Sequence, residues 1–305
     1  MSELLRRYGM PLTALVVVLT AFWLLILVIL PYLYLFENSF RPYLPVNEVG
    51  GPNDFYSLSN YAAMLNRNTT VALFGLELPI HVYIFLVTIF YSSVVTVLCF
   101  LIAYPLAYYL AKVADIRLVP TLFLLLLIPL WVSEILRSFA WFIILALKGP
   151  LNALLLGTGI IHDPIRWISG YRAIMIGFVY TYVLFMLFPV YNAVQSLDSN
   201  QIEAAEDLGS PWWRTHWRVI LPHTKPGIAS GSVTVFMLAA GSLLVPTLLA
   251  STTSRWFTEI IQQWMFESQD WNTGSAYAFM LMILCTVFVT LVMKLFRVSL
   301  ADIAK

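Results

Sequence analysis

Long stretches without a single charge decide what this chain can become. No Asp, Glu, Lys or Arg occurs from Tyr8 to Phe36, His81 to Ala111, Ala173 to Leu197, Pro226 to Ser254 or Trp271 to Met293. A sixth stretch, Leu118 to Leu147, is interrupted only by Glu134 and Arg137. About 20 apolar residues coiled as a helix cross the hydrocarbon of a bilayer, and a helix satisfies its own backbone groups there. Six transmembrane helices are therefore expected, in an all-α integral membrane protein forming a single domain over residues 1–305. Only 11 % of the chain is charged, against about a quarter in soluble domains. Pro31, Pro105, Pro129, Pro189 and Pro246 fall inside the runs, where neighbouring helices can satisfy the freed backbone groups.

The first run is too long for a signal-peptide core and is expected to stay as an anchor. Basic residues near helix ends set orientation. With the N-terminus inside, the inner segments hold Arg6, Arg7, Lys112, Arg117, Arg214, Arg218, Lys225, Lys294, Arg297 and Lys305. The outer segments, though longer, hold Arg41, Arg67, Lys148, Arg166, Arg172 and Arg255. Both termini are thus expected in the cytoplasm. In the outer segment Glu37 to Ile80, Phe55, Leu58, Tyr61 and Leu65 recur at helical spacing, so a short amphipathic helix on the membrane is expected. "GPLNALLLGTG" in the connection 148–170 reads as a half-buried surface helix.

Missing chemistry narrows the function. No lysine follows a glycine, so a phosphate-cradling P-loop is absent. His81, His162, His216 and His223 include no pair at helical ligand spacing, so no metal is expected. Cys99 and Cys285 fall within predicted helices and suit small buried hydrophobes. "GIASG" around Ser230 lacks the nucleophile-elbow pattern. The chain is expected to perform no covalent chemistry, to carry no cofactor and to bind no nucleic acid, and its net charge of +1 says nothing about partners.

Against this background residues 198–226, between the fourth and fifth spans, stand out. "SNQIEAAEDLGSPWWRTHWRVILPHTKP" gathers three acidic residues, three basic ones and three tryptophans on the cytoplasmic side. Asp198 followed by Gln201 suggests a capping box opening a helix. Glu203, Glu206 and Asp207 suit its positive end, and Gly209 suits the left-handed residue that closes it. Ser210 and Pro211 are expected to start a second helix, on which Trp213, Trp217 and Ile220 stack beside Arg214 and Arg218 until Pro222 stops it. Trp and Arg suit a docking surface, and equally a lipid headgroup boundary.

"EAAEDLGSPWWRTHWRVILP" resembles the EAA loop of binding-protein-dependent ABC importer permeases, the pattern E-A-A, three residues, G, nine residues, then I-x-L-P. Glu203, Ala204, Ala205, Gly209, Leu221 and Pro222 fall in register, with Val219 in the place of Ile. "LIPLWVSEILRSFAW", "GPLNALLLGTGIIHDPIRW" and "QDWNTGSAYAF" resemble the spermidine/putrescine branch, in its first-permease type. The resemblance implies a type I ABC importer permease of the bacterial inner membrane. Its implied partners are a second homologous permease forming a heterodimer, two ATPase subunits and a periplasmic solute-binding protein. ATP and Mg would be handled in trans by the ATPases. The loop would carry their motion to the membrane, with Trp213, Arg214 and Trp217 as this chain's own filling of the coupling surface. The resemblance implies a small cationic solute, a polyamine such as spermidine or putrescine, with the opines, aminophosphonates and other amines imported by relatives in the branch as the alternative. An ion-coupled secondary transporter using Glu134 is the competing class.

A carboxylate inside a span costs roughly 2.5–3.5 kcal/mol on insertion scales, so Glu134 needs a partner or a wet cavity. Two readings stand: an anchor for a cationic substrate, with Trp131, Trp141, Tyr180 and Tyr182 available for cation–π contact, or an internal pair with Arg137 on the same face. Near the outer side Glu259, Gln263 and Glu267 recur at i, i+4 and i+8, as a solvated helix face or a substrate-receiving one.

Overall fold

The computed structural model describes residues 2–48, 50–65, 69–73, 76–251 and 253–298. Arg67 and Lys305, counted above for orientation, lie outside the described residues. The chain divides into two compact units, residues 1–68 with 261–280, and residues 69–260 with 281–305.

The first unit opens with α1 (Ser2–Leu24), which passes through a wide turn at Leu25–Ile29 into α2 (Leu30–Ser39). Gly9 breaks the helix near its start with φ 77°. From Leu12 to Phe36 the rod leaves most of its large apolar side chains exposed, a surface suited to lipid rather than to a core. Beyond α2, Arg41 pairs with Glu37 at 2.6 Å and with Asp54 at 3.1 Å. Asn60 donates to the carbonyls of Ser39 and Arg41, and the Tyr61 hydroxyl bonds Ser39 Oγ. These bonds hold α3 (Ser59–Met64), a helix of one to two turns with Phe55, Leu58 and Leu65 exposed around it.

The second unit begins with a feature the sequence reading missed, an antiparallel hairpin of β1 (Thr70–Leu73) and β2 (Leu76–Pro79). It leads into α4 (Ile80–Tyr108). The run 118–147, expected as one span, is two helices, α5 (Val119–Trp131) and α6 (Glu134–Leu145). Val132 and Ser133 are extended, with ψ 133° and 142°. Pro129 contributes to the break, because it has no N–H for the last turn of α5. Next come α7 (Pro150–Gly157), α8 (Arg172–Gln195), α9 (Ser199–Asp207) and α10 (Trp212–Thr215). Asn152 of α7 fastens the outer connection, donating to the carbonyls of Leu147 and Ile165 and accepting from Ile165 N–H and Trp167 Nε1.

The run 226–254 is likewise two helices, α11 (Leu221–Gly241) and α12 (Leu244–Leu249), parted where Ser242 is extended. After them come α13 (Phe257–Gln262), which crosses from the second unit into the first, and α14 (Trp271–Phe296), which returns from the first to the second. Among the described residues five stretches are long and apolar enough to cross a membrane: Gly9–Ser39, Ile80–Val113, Glu134–Gly157, Arg172–Gln195 and Trp271–Phe296. The fifth expected span holds α11, 21 residues threaded with Thr, Ser and Gly.

Helix α8 is the axis of the second unit and packs against both α4 and α11. Val95, Cys99, Ala103, Phe178, Met186, Leu187, Val190, Val235 and Ala239 are fully buried there. The crossing of α8 with α11 is close because Gly227 and Gly231 present no side chain. A Cβ at Gly227 would run into the Pro189 carbonyl oxygen and lie 2.6 Å from Ala193 Cβ. "GIASG" is thus a small-xxx-small contact, the means by which membrane helices approach closely.

Candidate functional site

The two cytoplasmic helices form as their local chemistry dictates. Asp198 caps α9, its carboxylate accepting from the Asn200 N–H at 3.0 Å. Gly209 adopts φ 74°. Its N–H donates to Glu206 O and the Ser210 N–H to Ala205 O, at 2.8 and 3.0 Å, the paired bonds of a Schellman closure. Glu203, Ala204 and Gly209 are exposed and Ala205 is half-buried.

The second helix departs from expectation in three ways. It is capped at Pro211 rather than Ser210, so helix begins at Trp212. Pro222 does not end it. A wide turn at His216–Ile220 hands α10 directly into α11, with the Leu221 N–H reaching back to His216 O. The turn steps the hydrogen-bond register just ahead of Pro222, which has no N–H to give. It also breaks the expected stripe: Ile220 is fully buried, whereas Trp213 and Trp217 are 56 % and 70 % exposed. Leu221 is half-buried and Pro222 exposed.

Both shoulders of this segment are fastened. Lys112, in the wide turn Tyr109–Val113 that follows α4, donates its Nζ to the carbonyl of Leu197, next to the cap residue. Ser196 Oγ and His223 Nε2 lie 3.1 Å apart. Most telling is His216, which the sequence reading gave no role. Its Nδ1 shares a hydrogen bond with the Tyr104 hydroxyl at 2.7 Å. Its ring packs against Trp212 at 4.3 Å and Tyr108 at 4.6 Å between centroids. Burial holds its imidazole below the ordinary value. Nothing nearby in sequence signals this, since Tyr104 lies 112 residues upstream. The tip is the opposite: Leu208, Trp212, Trp213 and Trp217 are all exposed, with the Arg214 guanidinium over the Trp213 ring. The result is an apolar knob on a fixed base.

Among the candidate pathway residues, the fold brings two pairs together. Glu134 is the first residue of α6 and accepts from the Tyr182 hydroxyl at 3.0 Å. Glu134 makes no ion pair with Arg137 and is partnered by this phenol. Arg137 Nε is buried without a hydrogen-bond partner. Trp141 and Tyr180 meet edge to face at 5.3 Å. Trp131 stands 78 % exposed at the end of α5.

Glu259 turns toward its own helix, where its Oε2 accepts from the Trp256 N–H at 2.7 Å. A third-position glutamate bonded to the cap residue is half of a capping box. Burial pushes its carboxyl up while that N–H pulls it down. Gln263 opens a wide turn, Gln263–Glu267, so the expected spacing of Glu259, Gln263 and Glu267 is not kept as one helical face.

The sequence pattern of the family described as "Binding-protein-dependent transport system inner membrane component" covers residues 100–301. The chain is 31 % identical over 261 residues to the spermidine/putrescine transport system permease protein PotB of Salmonella typhimurium (strain LT2), covering 86 % of this chain and 85 % of that one. It is 30 % identical over 267 residues to the protein of the same name from Haemophilus influenzae, covering 88 % of each. In fold it matches a bacterial alginate ABC transporter, crystallised in complex with an alginate pentasaccharide-bound periplasmic protein. The TM-score there is 0.71 at 15 % identity, over 98 % of this chain and 99 % of that one. Several bilayer-long helices and a family pattern over residues 100–301 lead to one assignment: the chain belongs to the binding-protein-dependent transport system inner membrane components, as a multi-pass permease subunit of an ABC importer.

Proposed function

We propose that this permease forms half of a translocation pathway for polyamines of the spermidine and putrescine type, and that residues 198–226 couple it to ATPase subunits. The observation that carries the coupling is the contrast between base and tip. A segment bonded to α4 and α8 transmits force, and an exposed cluster of Leu208, Trp212, Trp213 and Trp217 needs a partner to cover it. Glu203, Ala204, Ala205 and Gly209 shape the turn. Arg214, Leu221 and Pro222 carry it into the fifth span. A second permease completes the pathway, a periplasmic binding protein delivers the solute, and ATP with Mg is handled by the ATPases.

A polyamine is supported by the names of the two relatives and by the pathway chemistry. Glu134 supplies the negative charge for an ammonium. Tyr182 orients that carboxylate, and Trp141 with Tyr180 offers π faces on the same two helices, α6 and α8, for cation–π attraction. Trp131, Glu259 and Gln263 have a weaker claim, Glu259 because its carboxylate is engaged in a helix cap.

The test is co-purification of the assembled importer from membranes. The ATPase should accompany the intact permease and be lost with Gly209→Trp, which fills the turn at the knob. An ATPase that stays bound to the Gly209→Trp protein, and also to one lacking residues 203–222, contradicts the coupling role.

A further inference from the structure

One buried side chain ties the cytoplasmic segment to α4 at a single point. His216 is 6 % exposed, and its Nδ1 shares a hydrogen bond with the Tyr104 hydroxyl at 2.7 Å. Its Nε2 is buried without a hydrogen-bond partner, so Tyr104 is the polar tie of the ring. Tyr108 and Trp212 hold the imidazole on either side. Just ahead of this point α4 and α11 stand apart. A cavity of about 630 Å³ lies between them, lined by Thr96 and Phe100 on α4 and by Leu221 and Ile228 on α11. Pro105, next to Tyr104, also leaves α4 one backbone N–H short. Helices bend at such a residue unless their surroundings hold them.

We infer that the Tyr104–His216 pair is the joint through which the cytoplasmic segment moves α4, which makes both of them positioning residues of the transport cycle. Helix α10 runs on into α11 through the wide turn, so α11 follows any displacement of the segment through the backbone itself. Helix α4 is joined to the segment through side chains. Lys112 grips from the wide turn beyond Pro105, on the far side of the weakened rung. Apolar contacts resist separation but have no preferred direction, whereas a hydrogen bond is directional. A caged imidazole bonded at the proline therefore fixes the register of α4 against the segment where the cavity leaves α11 unable to do so. The inference rests on the coupling reading of residues 198–226 and is independent of the cargo.

The test uses the whole importer in nanodiscs, with Cys99 and Cys285 replaced by alanine. Nitroxides are placed at Leu101→Cys on α4 and at Lys225→Cys near the start of α11, both exposed positions. The distance between them is measured by pulsed electron resonance in the nucleotide-free and vanadate-trapped states. With the joint intact the two states should give the same distance. Tyr104→Phe removes one hydroxyl and should let α4 lag by roughly one helical turn, a shift of ~5 Å between states. His216→Asn sets an amide oxygen where Nδ1 stood and should keep the distance fixed. His216→Gln sets its amide at the Nε2 position and should shift as Tyr104→Phe does. A merely structural role would lower the yield of complex without moving the label distance. A Tyr104→Phe complex as fixed as wild type overturns the joint, as do Asn and Gln variants that behave alike. A wild-type distance that itself shifts by a turn also overturns it. The coupling reading fails by a different result, an ATPase that stays bound without residues 203–222.

Discussion

Replacing Gly227 by alanine puts a methyl group where α8 and α11 cross. Its Cβ would fall within 2.6 Å of Ala193 Cβ and closer still to the Pro189 carbonyl oxygen. A carbonyl in a helix cannot swing aside as a side chain does, so the two helices must part. Overpacking against immobile backbone takes the upper part of the usual range, about 2–3 kcal/mol, against a gain of ~1 kcal/mol from better helix propensity. The net, about 1–2 kcal/mol, corresponds to a Tm lowered by roughly 2–8 °C for a domain of this size. Two neighbouring glycines calibrate the argument. At Gly231 the nearest atom to a new Cβ is the flexible Met186 Sδ at 2.6 Å, and at Gly241 nothing lies within 4 Å. Thermal unfolding of the purified assembly, followed by tryptophan fluorescence, should rank stability as Gly241→Ala at or above wild type, then Gly231→Ala, then Gly227→Ala. A Gly227→Ala protein as stable as wild type, or an inverted order, refutes the claim that this crossing is set by missing side chains.

Other expectations concern the cytoplasmic segment and the pathway. Gly209→Ala meets open space but keeps φ at 74°, so it should cost ~1–2 kcal/mol of backbone strain; hydrogen exchange over residues 199–215 should quicken without loss of expression. Asp198→Ala removes the cap bond and should weaken α9 by about 0.5–2 kcal/mol, read by the same exchange. His216 is held below its ordinary value of 6.5 by burial, so its neutral form is the folded one. Its stabilising contribution is complete above pH 6.5 and is lost as pH falls through the lower folded value. His216→Phe should flatten that acid-side loss of Tm, and an unchanged pH profile would show that the imidazole is not its source. Glu134→Gln should raise the KM for spermidine by about ten- to a hundredfold, the worth of a hydrogen bond to a charged group, with assembly intact. Unchanged transport removes Glu134 from the pathway.

What could be foreseen was local. The uncharged runs, the Asp198 cap and the Gly209 closure each depend on a few adjacent residues, and the structure forms all three. The breaks at Val132–Ser133 and at Ser242 were not legible, since prolines are tolerated in spans and neither pair of neighbours signals extended backbone. Helix continuation through Pro222 depends on a wide turn that no residue type announces. A same-helix pair with Arg137 was one of two readings of Glu134 because i, i+3 spacing is visible in sequence, whereas Tyr182 reaches it from a different helix. His216 was missed for the same reason. The G-x-x-x-G of Gly227 and Gly231 was visible, yet only as a failed catalytic motif, because closeness to Pro189 is a property of two helices.

The central claim is that the knob at Trp212–Trp217 is the surface an ATPase grips. With Cys99 and Cys285 replaced by alanine, Trp213→Cys should form a disulfide with a cysteine of the ATPase subunit in inside-out vesicles, and should be blocked by a membrane-impermeant thiol reagent added from the cytoplasmic side. Labelling of that cysteine only from the periplasmic side, or free labelling while the ATPase remains bound, would contradict the account.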